Sequence, residues 1–213
     1  MGKYKNGING AFSGKIGNVV GVISRGVNYM RSVPEIKVDK PTEKQIRQRN
    51  IMAMISSWLK PIKFIINIGF QSFTGGKTPI NEVFSLISKQ ALIVNGNLVS
   101  IDYKSVVLSK GELLPSIVFE IITLIDSFLH VKWRNFNPSI YNSGNDKATF
   151  IVYNPSKERF ASFVGIADRD AEEADLKLPT DFSGDNVHCW MQYVGVDGIM
   201  VSTSTYLGEV LVG

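Results

Sequence analysis

From residue 91 onward, hydrophobic and polar positions alternate with period two, in short stretches. Adjacent side chains of an extended strand point to opposite faces, so this period marks strands with one face turned to a core. Residues 92–94 and 98–101 flank Asn95-Gly96 and predict a tight hairpin, because that dipeptide tolerates the positive φ such turns require. Further strands are predicted over 106–108, 117–124, 128–133, 148–153, 160–166, 187–194 and 200–207, the last continuing to 212. Turn signals separate them: Ser109-Lys110-Gly111, Asn142-Ser143-Gly144-Asn145, Asn154-Pro155, Ser183-Gly184-Asp185 and Asp197-Gly198. This succession predicts an antiparallel immunoglobulin-like or fibronectin-III-like β-sandwich, with Trp133 as its core tryptophan and Tyr193 or Tyr206 as its corner tyrosine.

Between residues 42 and 90 the period is helical. Thr42 with Gln45 forms a capping box, and Ile51, Met54, Ile55, Trp58, Leu59 and Ile62 share one face. Pro61 is expected to kink or restart this helix, which 62–70 continues until Gly69 and Gly75-Gly76 break it. Thr78-Pro79 starts another helix, with Val83, Phe84 and Ile87 on one side. Residues 34–41, bounded by two prolines, read as a linker.

The first 33 residues follow neither period. Glycine stands at 2, 7, 10, 14, 17, 21 and 26, among short β-favouring pieces: Ile16, Val19, Val20, Val22, Ile23, then Val27, Tyr29 and Met30. Ser24-Arg25-Gly26 reads as a turn between two of them. Glycine this dense weakens an isolated strand, so the segment needs a partner surface. The chain therefore divides into a basic Gly-rich arm or hairpin with its linker (1–41), a short helical middle (42–90) and a β-sandwich (91–213), an α+β chain that is mainly β.

Charge changes the picture most. Residues 1–90 hold 14 Lys+Arg against 4 Asp+Glu, a net of +10; residues 91–213 hold 9 against 15, a net of −6. Such a split belongs to a protein that attaches to a polyanion or to the acidic surface of its own neighbour. The basic positions Lys3, Lys5, Lys15, Arg25, Arg31, Lys44, Arg47 and Arg49 are the candidate contacts, with Tyr4, Phe12 and Tyr29 among them able to stack on bases. The bland alternative is a solvated basic surface. Lys44, Arg47 and Arg49 also place positive charge at a helix start, which costs a few tenths of a kcal/mol each unless an anion compensates.

Composition narrows the classes. A 44% hydrophobic content supports a true core, and the single cysteine, Cys189, excludes an intramolecular disulfide. The basic N-terminus lacks an apolar h-region after it, and the longest apolar stretches are broken by Lys60, Lys63, Glu120 and Asp126, so neither a secretory signal nor a membrane span is expected. The expected place of synthesis is the cytoplasm.

No catalytic constellation stands out. Gly75-Gly76-Lys77-Thr78 ends like a phosphate-binding loop, but position 71 is Gln and Pro79 removes a donor, so an interhelical loop is the better reading. His188 and Cys189 are neighbours on a strand and face opposite ways, Cys189 inward, which prevents joint action as nucleophile and base. The densest acidic run contains Asp168, Asp170, Glu172, Glu173 and Asp175; its spacing fails the calcium-loop pattern, leaving a solvated inter-strand loop that could dock the basic part of a neighbour. No cofactor, metal or small-molecule substrate is inferred.

Gly14-Lys15-Ile16-Gly17-Asn18-Val19-Val20-Gly21, Arg31-Ser32-Val33-Pro34, Pro41-Thr42-Glu43-Lys44-Gln45 with Arg49, and Ser202-Thr203-Ser204-Thr205-Tyr206-Leu207-Gly208 together resemble an uncharacterised bacterial family of about this length. The resemblance implies no activity and no catalytic residues. The arm-plus-sandwich plan is similar in outline to virion proteins. The expected function is thus a structural protein that assembles with copies of itself through its N-terminal arm, in a phage-like virion or another assembled particle; the alternative is a nucleic-acid-binding accessory protein. In the first case the arm adds to a neighbour's sheet, its charge meeting the acids of 168–175.

Overall fold

The computed structural model of the chain describes residues 3–4, 10–24, 26–35, 40–72, 76–95 and 98–213. Its contacts divide it into two compact units, 1–45 and 46–213.

In the first unit, β1 (Lys3–Tyr4), β2 (Phe12–Ile16), β3 (Val19–Ser24) and β4 (Val27–Ser32) form an antiparallel meander in that order. Two glycines serve its turns. Gly17 adopts a φ of 58° between the paired Ile16 and Val19, and Gly26 a φ of 79° between the paired Ser24 and Val27. Gly21 is needed for a different reason: a Cβ there would fall 2.6 Å from the Phe12 ring. The glycines read as weakness in the sequence are turn formers and a close-approach site. The middle residue of the expected Ser24-Arg25-Gly26 turn lies outside the described residues.

The capping box forms: the Thr42 N–H donates to Gln45 Oε1 at 3.0 Å and the Gln45 N–H to Thr42 Oγ1 at 3.4 Å. It opens α1 (Glu43–Leu59), followed across Lys60-Pro61 by α2 (Lys63–Gly69), whose axis is turned by 89°. α3 (Pro79–Gln90) begins at Thr78, whose Oγ1 accepts from the Asn81 N–H at 3.3 Å. A hairpin of β5 (Leu92–Asn95) and β6 (Leu98–Ile101) follows, its connecting Gly96 outside the described residues.

Seven more strands build two sheets: β7 (Ile117–Leu124), β8 (Phe128–Arg134), β9 (Lys147–Asn154), β10 (Arg159–Asp168), β11 (Glu173–Lys177), β12 (Asn186–Val194) and β13 (Thr205–Leu211). One sheet runs β11-β8-β7, the other β10-β9-β12-β13, and every pairing within them is antiparallel. Between the sheets, Leu129, Val131 and Trp133 meet Phe150, Val152, Cys189 and Met191 in one buried core. The opposite face of the four-stranded sheet carries Ile151, Tyr153 and Trp190, which pack with Ile55, Trp58 and Leu59 of α1 and with Ile66 and Ile87 in a second core. The second unit is therefore three layers, helices on a β-sandwich, and the chain is α+β and mainly β. Trp58 bridges them, its ring 5.5 Å from Tyr153 and 6.4 Å from Trp190. Trp133 is buried as expected.

Three details differ from the sequence reading. Residues 106–108 are irregular backbone, not strand; Val106 and Leu108 are buried, but the Leu108 N–H donates to Ser204 Oγ at 2.8 Å rather than to a ladder. The last strand begins at Thr205: Asp197 Oδ1 accepts from the N–H groups of Ile199 and Met200 in a turn, Val201 makes only an isolated bridge to Val194, and the Ser204 N–H leaves the sheet to donate to the Ser109 carbonyl at 3.0 Å. Neither tyrosine makes a local corner bond: the Tyr193 hydroxyl reaches Ser116 at 2.8 Å, and Tyr206 reaches His188 at 2.8 Å.

Candidate interaction surface

Cross-strand partners share a face, so register sorts the side chains of the N-terminal meander. Lys15 opposes Val20, which opposes Arg31; Val22 opposes Tyr29; Lys3 opposes Ser13, two residues before Lys15. One face therefore holds Lys3, Lys15 and Arg31 with Tyr29. On the other, Ile16 opposes Val19, Gly21 opposes Met30, Ile23 opposes Asn28, and Phe12 lies over Gly21. Among the described residues this second face carries no charged side chain. Its apolar positions are wet: Ile16 is 37% exposed, Val19 38%, Ile23 42% and Met30 70%. Lys5 and Arg25 lie outside the described residues. Lys44, Arg47 and Arg49 are exposed in the first turns of α1.

The acidic run is not a loop. Asp168 ends β10 and pairs with Lys147; Asp170 packs against Gly144, leaving no room there for a side chain. Glu172 turns at a φ of 57° and accepts from the Asn135 N–H at 3.3 Å. Glu173 and Asp175 lie on β11, where Asp175 Oδ1 is 2.5 Å from His130 Nδ1 and Glu173 Oε2 is 3.9 Å from His130 Nε2. The alternation that makes β11 a strand comes from Ala174 and Leu176, both in the core, set between the outward Glu173, Asp175 and Lys177. The density of charge hides that period in the sequence.

The other candidates resolve as structural parts. Lys77 pairs with Glu82 at 3.4 Å, and Thr78 caps α3. Gly76 turns at a φ of 80°, and Gly75 lies outside the described residues. Cys189 is 1% exposed, and burial pushes its thiol up to about 12. His188 is half-buried rather than fully outward, with its ring centroid 4.4 Å from that of Tyr103, and burial holds its pKa below the usual value. No group of three or more metal-binding side chains occurs among the described residues.

The feature the sequence hid is a buried polar hub. Arg169, inside the acidic run, is 1% exposed. Its Nε donates to Asp146 Oδ2 at 3.1 Å, its Nη2 lies 3.1 Å from the same oxygen, and its Nη1 donates to the Leu114 carbonyl at 2.9 Å. The guanidinium sits 3.7 Å from the centre of the Tyr193 ring. The Trp133 Nε1–H and the Asn135 Nδ2–H both donate to the Arg169 carbonyl, at 2.9 and 2.8 Å. Burial pushes the Tyr193 phenol up to about 12, against the opposing pull of its Ser116 hydrogen bond. The only sequence signal was an arginine amid acids, which reads as a solvated pair. The hub ties the segment before β7 to β12 and to the β10–β11 connection.

Residues 11–208 match the model of a single protein family. The chain belongs to DUF6266, a family of unknown function. DUF6266 thus takes in most of the N-terminal meander as well as the helices and sandwich, and the expected membership of an uncharacterised family holds. No curated protein matches the chain. Among the described residues, no single helix is long and apolar enough to cross a membrane.

Proposed function

We propose that this DUF6266 member is a structural protein that assembles with copies of itself through its N-terminal sheet. The observation that carries the reading is the uncharged apolar face of the meander, with Met30 at 70% exposure. Exposed apolar groups gathered on one sheet face are a recurrent mark of an interaction site. The +10 and −6 charges of residues 1–90 and 91–213 would orient such contacts more than tighten them. The sandwich supports an immunoglobulin-like or fibronectin-III-like reading. Counted in chain order, its first, second and fifth strands make one sheet, and its fourth, third, sixth and seventh the other. A particle component, virion-like in plan, is the setting this reading favours. Light scattering at low and high salt tests it: the full chain forms oligomers whose size depends on protein concentration, and a strictly monomeric chain overturns the proposal.

A second reading has its own observation. Lys15 and Arg31 flank Val20 on one face, with Tyr29 on the same strand as Arg31, an arrangement suited to phosphates and a stacked base. If nucleic acid is the partner, log affinity falls linearly with log salt, by about 0.9 per phosphate neutralised on duplex. Charge reversal of Lys15 and Arg31 then abolishes binding. Undetectable DNA binding at low salt removes this reading.

A further inference from the structure

Resting on the self-assembly reading, we infer that the uncharged face of the N-terminal sheet stacks on the same face of a second copy, leaving the basic faces outward. The contact is formed by Phe12, Ile16, Val19, Ile23 and Met30, which register places together on one side of β2, β3 and β4. Two sheets pack face to face about 10 Å apart when both inner faces are apolar, and this face meets that condition in every copy.

Charge decides which face does the stacking and what occupies it. Stacking the opposite faces would set Lys3, Lys15 and Arg31 of one copy against the same cations of the other, a repulsion that water-excluded contact makes worse. The uncharged face meets no such penalty against its own copy. A charged partner gains nothing from it, since it offers no ion pair. A two-fold stack is also the simplest closed arrangement, because each copy presents one identical patch.

Size sets the strength. Strands about 4.8 Å apart with roughly 3.3 Å per residue make a face of about 15 by 20 Å, or roughly 300 Å². A stable pair usually buries about 800 Å² per partner. The stack is therefore a reversible contact that populates with concentration, suited to an assembly in which several such contacts add.

The test uses the full chain in sedimentation velocity over a wide concentration range, with two double variants. Ile16→Glu with Ile23→Glu puts charge on the stacking face and is expected to weaken association at least tenfold. Lys15→Glu with Arg31→Glu changes the other face and leaves association intact. Oxidative cross-linking gives an independent readout, since the native cysteine, Cys189, is buried. Met30→Cys is a mild change on the stacking face and should yield a disulfide-linked dimer, whereas Tyr29→Cys, one residue away on the opposite face, should not. The inference is overturned if the Ile16/Ile23 variant assembles like the parent chain, or if Tyr29→Cys links and Met30→Cys does not. In those cases the parent chain still assembles and the broader reading stands; a parent chain that stays monomeric throughout removes both.

Discussion

Replacing Arg169 with methionine should destabilise the second unit far more than the loss of one ordinary hydrogen bond. Methionine keeps most of the volume, so the cavity is small, but it supplies no donor. Asp146, whose side chain is 3% exposed, then keeps a buried carboxylate whose remaining hydrogen bond is the 3.1 Å one from the Ser143 N–H. The Leu114 carbonyl loses the 2.9 Å donor it had, and Tyr193 loses the cation over its ring. Removing one partner of a buried ion pair costs about 3–5 kcal/mol, mostly because the other charge stays buried and unpaired. That is a large share of the roughly 5–15 kcal/mol by which a domain is stable. Asp146→Asn alone should cost a similar amount, since it strands the guanidinium. The double variant removes both charges and should recover most of the loss, so its cost lies well below the sum of the two. Urea unfolding at pH 7 followed by tryptophan fluorescence reads this directly, because Trp58, Trp133 and Trp190 all lie in the second unit. Single variants that each cost under about 1 kcal/mol, or a double variant whose cost equals the sum, would refute the hub.

Three further outcomes follow from burial. Trp133→Ala should cost about 3–5 kcal/mol in the same assay, as a large-to-small change in a core that also removes one of the two side-chain donors to the Arg169 carbonyl; a cost under about 1 kcal/mol would contradict the packing. Burial holds the His188 pKa below 6.5 in the folded chain, so the unfolded chain takes up that proton more readily and stability falls as pH drops through and below 6.5. Comparing urea midpoints at pH 7 and pH 5, His188→Asn should lose less stability on acidification than the parent; an equal or larger loss would show that the imidazole is not desolvated. Cys189, its thiol at about 12, should resist an aromatic disulfide reagent at pH 8 in the native state and react once urea unfolds the chain, and prompt native reaction would contradict its burial.

Much of the second unit is legible in the sequence because one physical signal dominates each element. Period two marks β7, β8 and β10, where one face turns to the core and the other meets more water, while β9 reads as a continuous apolar run because both of its faces are covered. The capping box and Pro61 mark where α1 starts and stops, since both act through the local backbone. β11 escaped because its inward positions are a small alanine and a leucine among charges, too weak a contrast against the acids around them. Residues 106–108 misled in the opposite direction: Val106 and Leu108 are apolar because they are buried, yet the Val106 N–H donates to the Tyr103 carbonyl and the Leu108 N–H to Ser204 Oγ, not to a strand. The face sorting of the N-terminal sheet depends on register between strands, set by the two-residue turns at Gly17 and Gly26, and Gly17 carries no hairpin signal as strong as Asn-Gly. Arg169 illustrates the limit most clearly, since only tertiary packing separates a buried arginine from a solvated one.

On the proposed reading, the N-terminal sheet joins copies of this chain. The most direct measurement is multi-angle light scattering, at matched concentrations, on the full chain and on a chain lacking residues 2–33, which retains the whole of the 46–213 unit and both of its cores. The account predicts concentration-dependent oligomers for the full chain and a folded monomer for the truncated one. Equal assembly by both chains would contradict it.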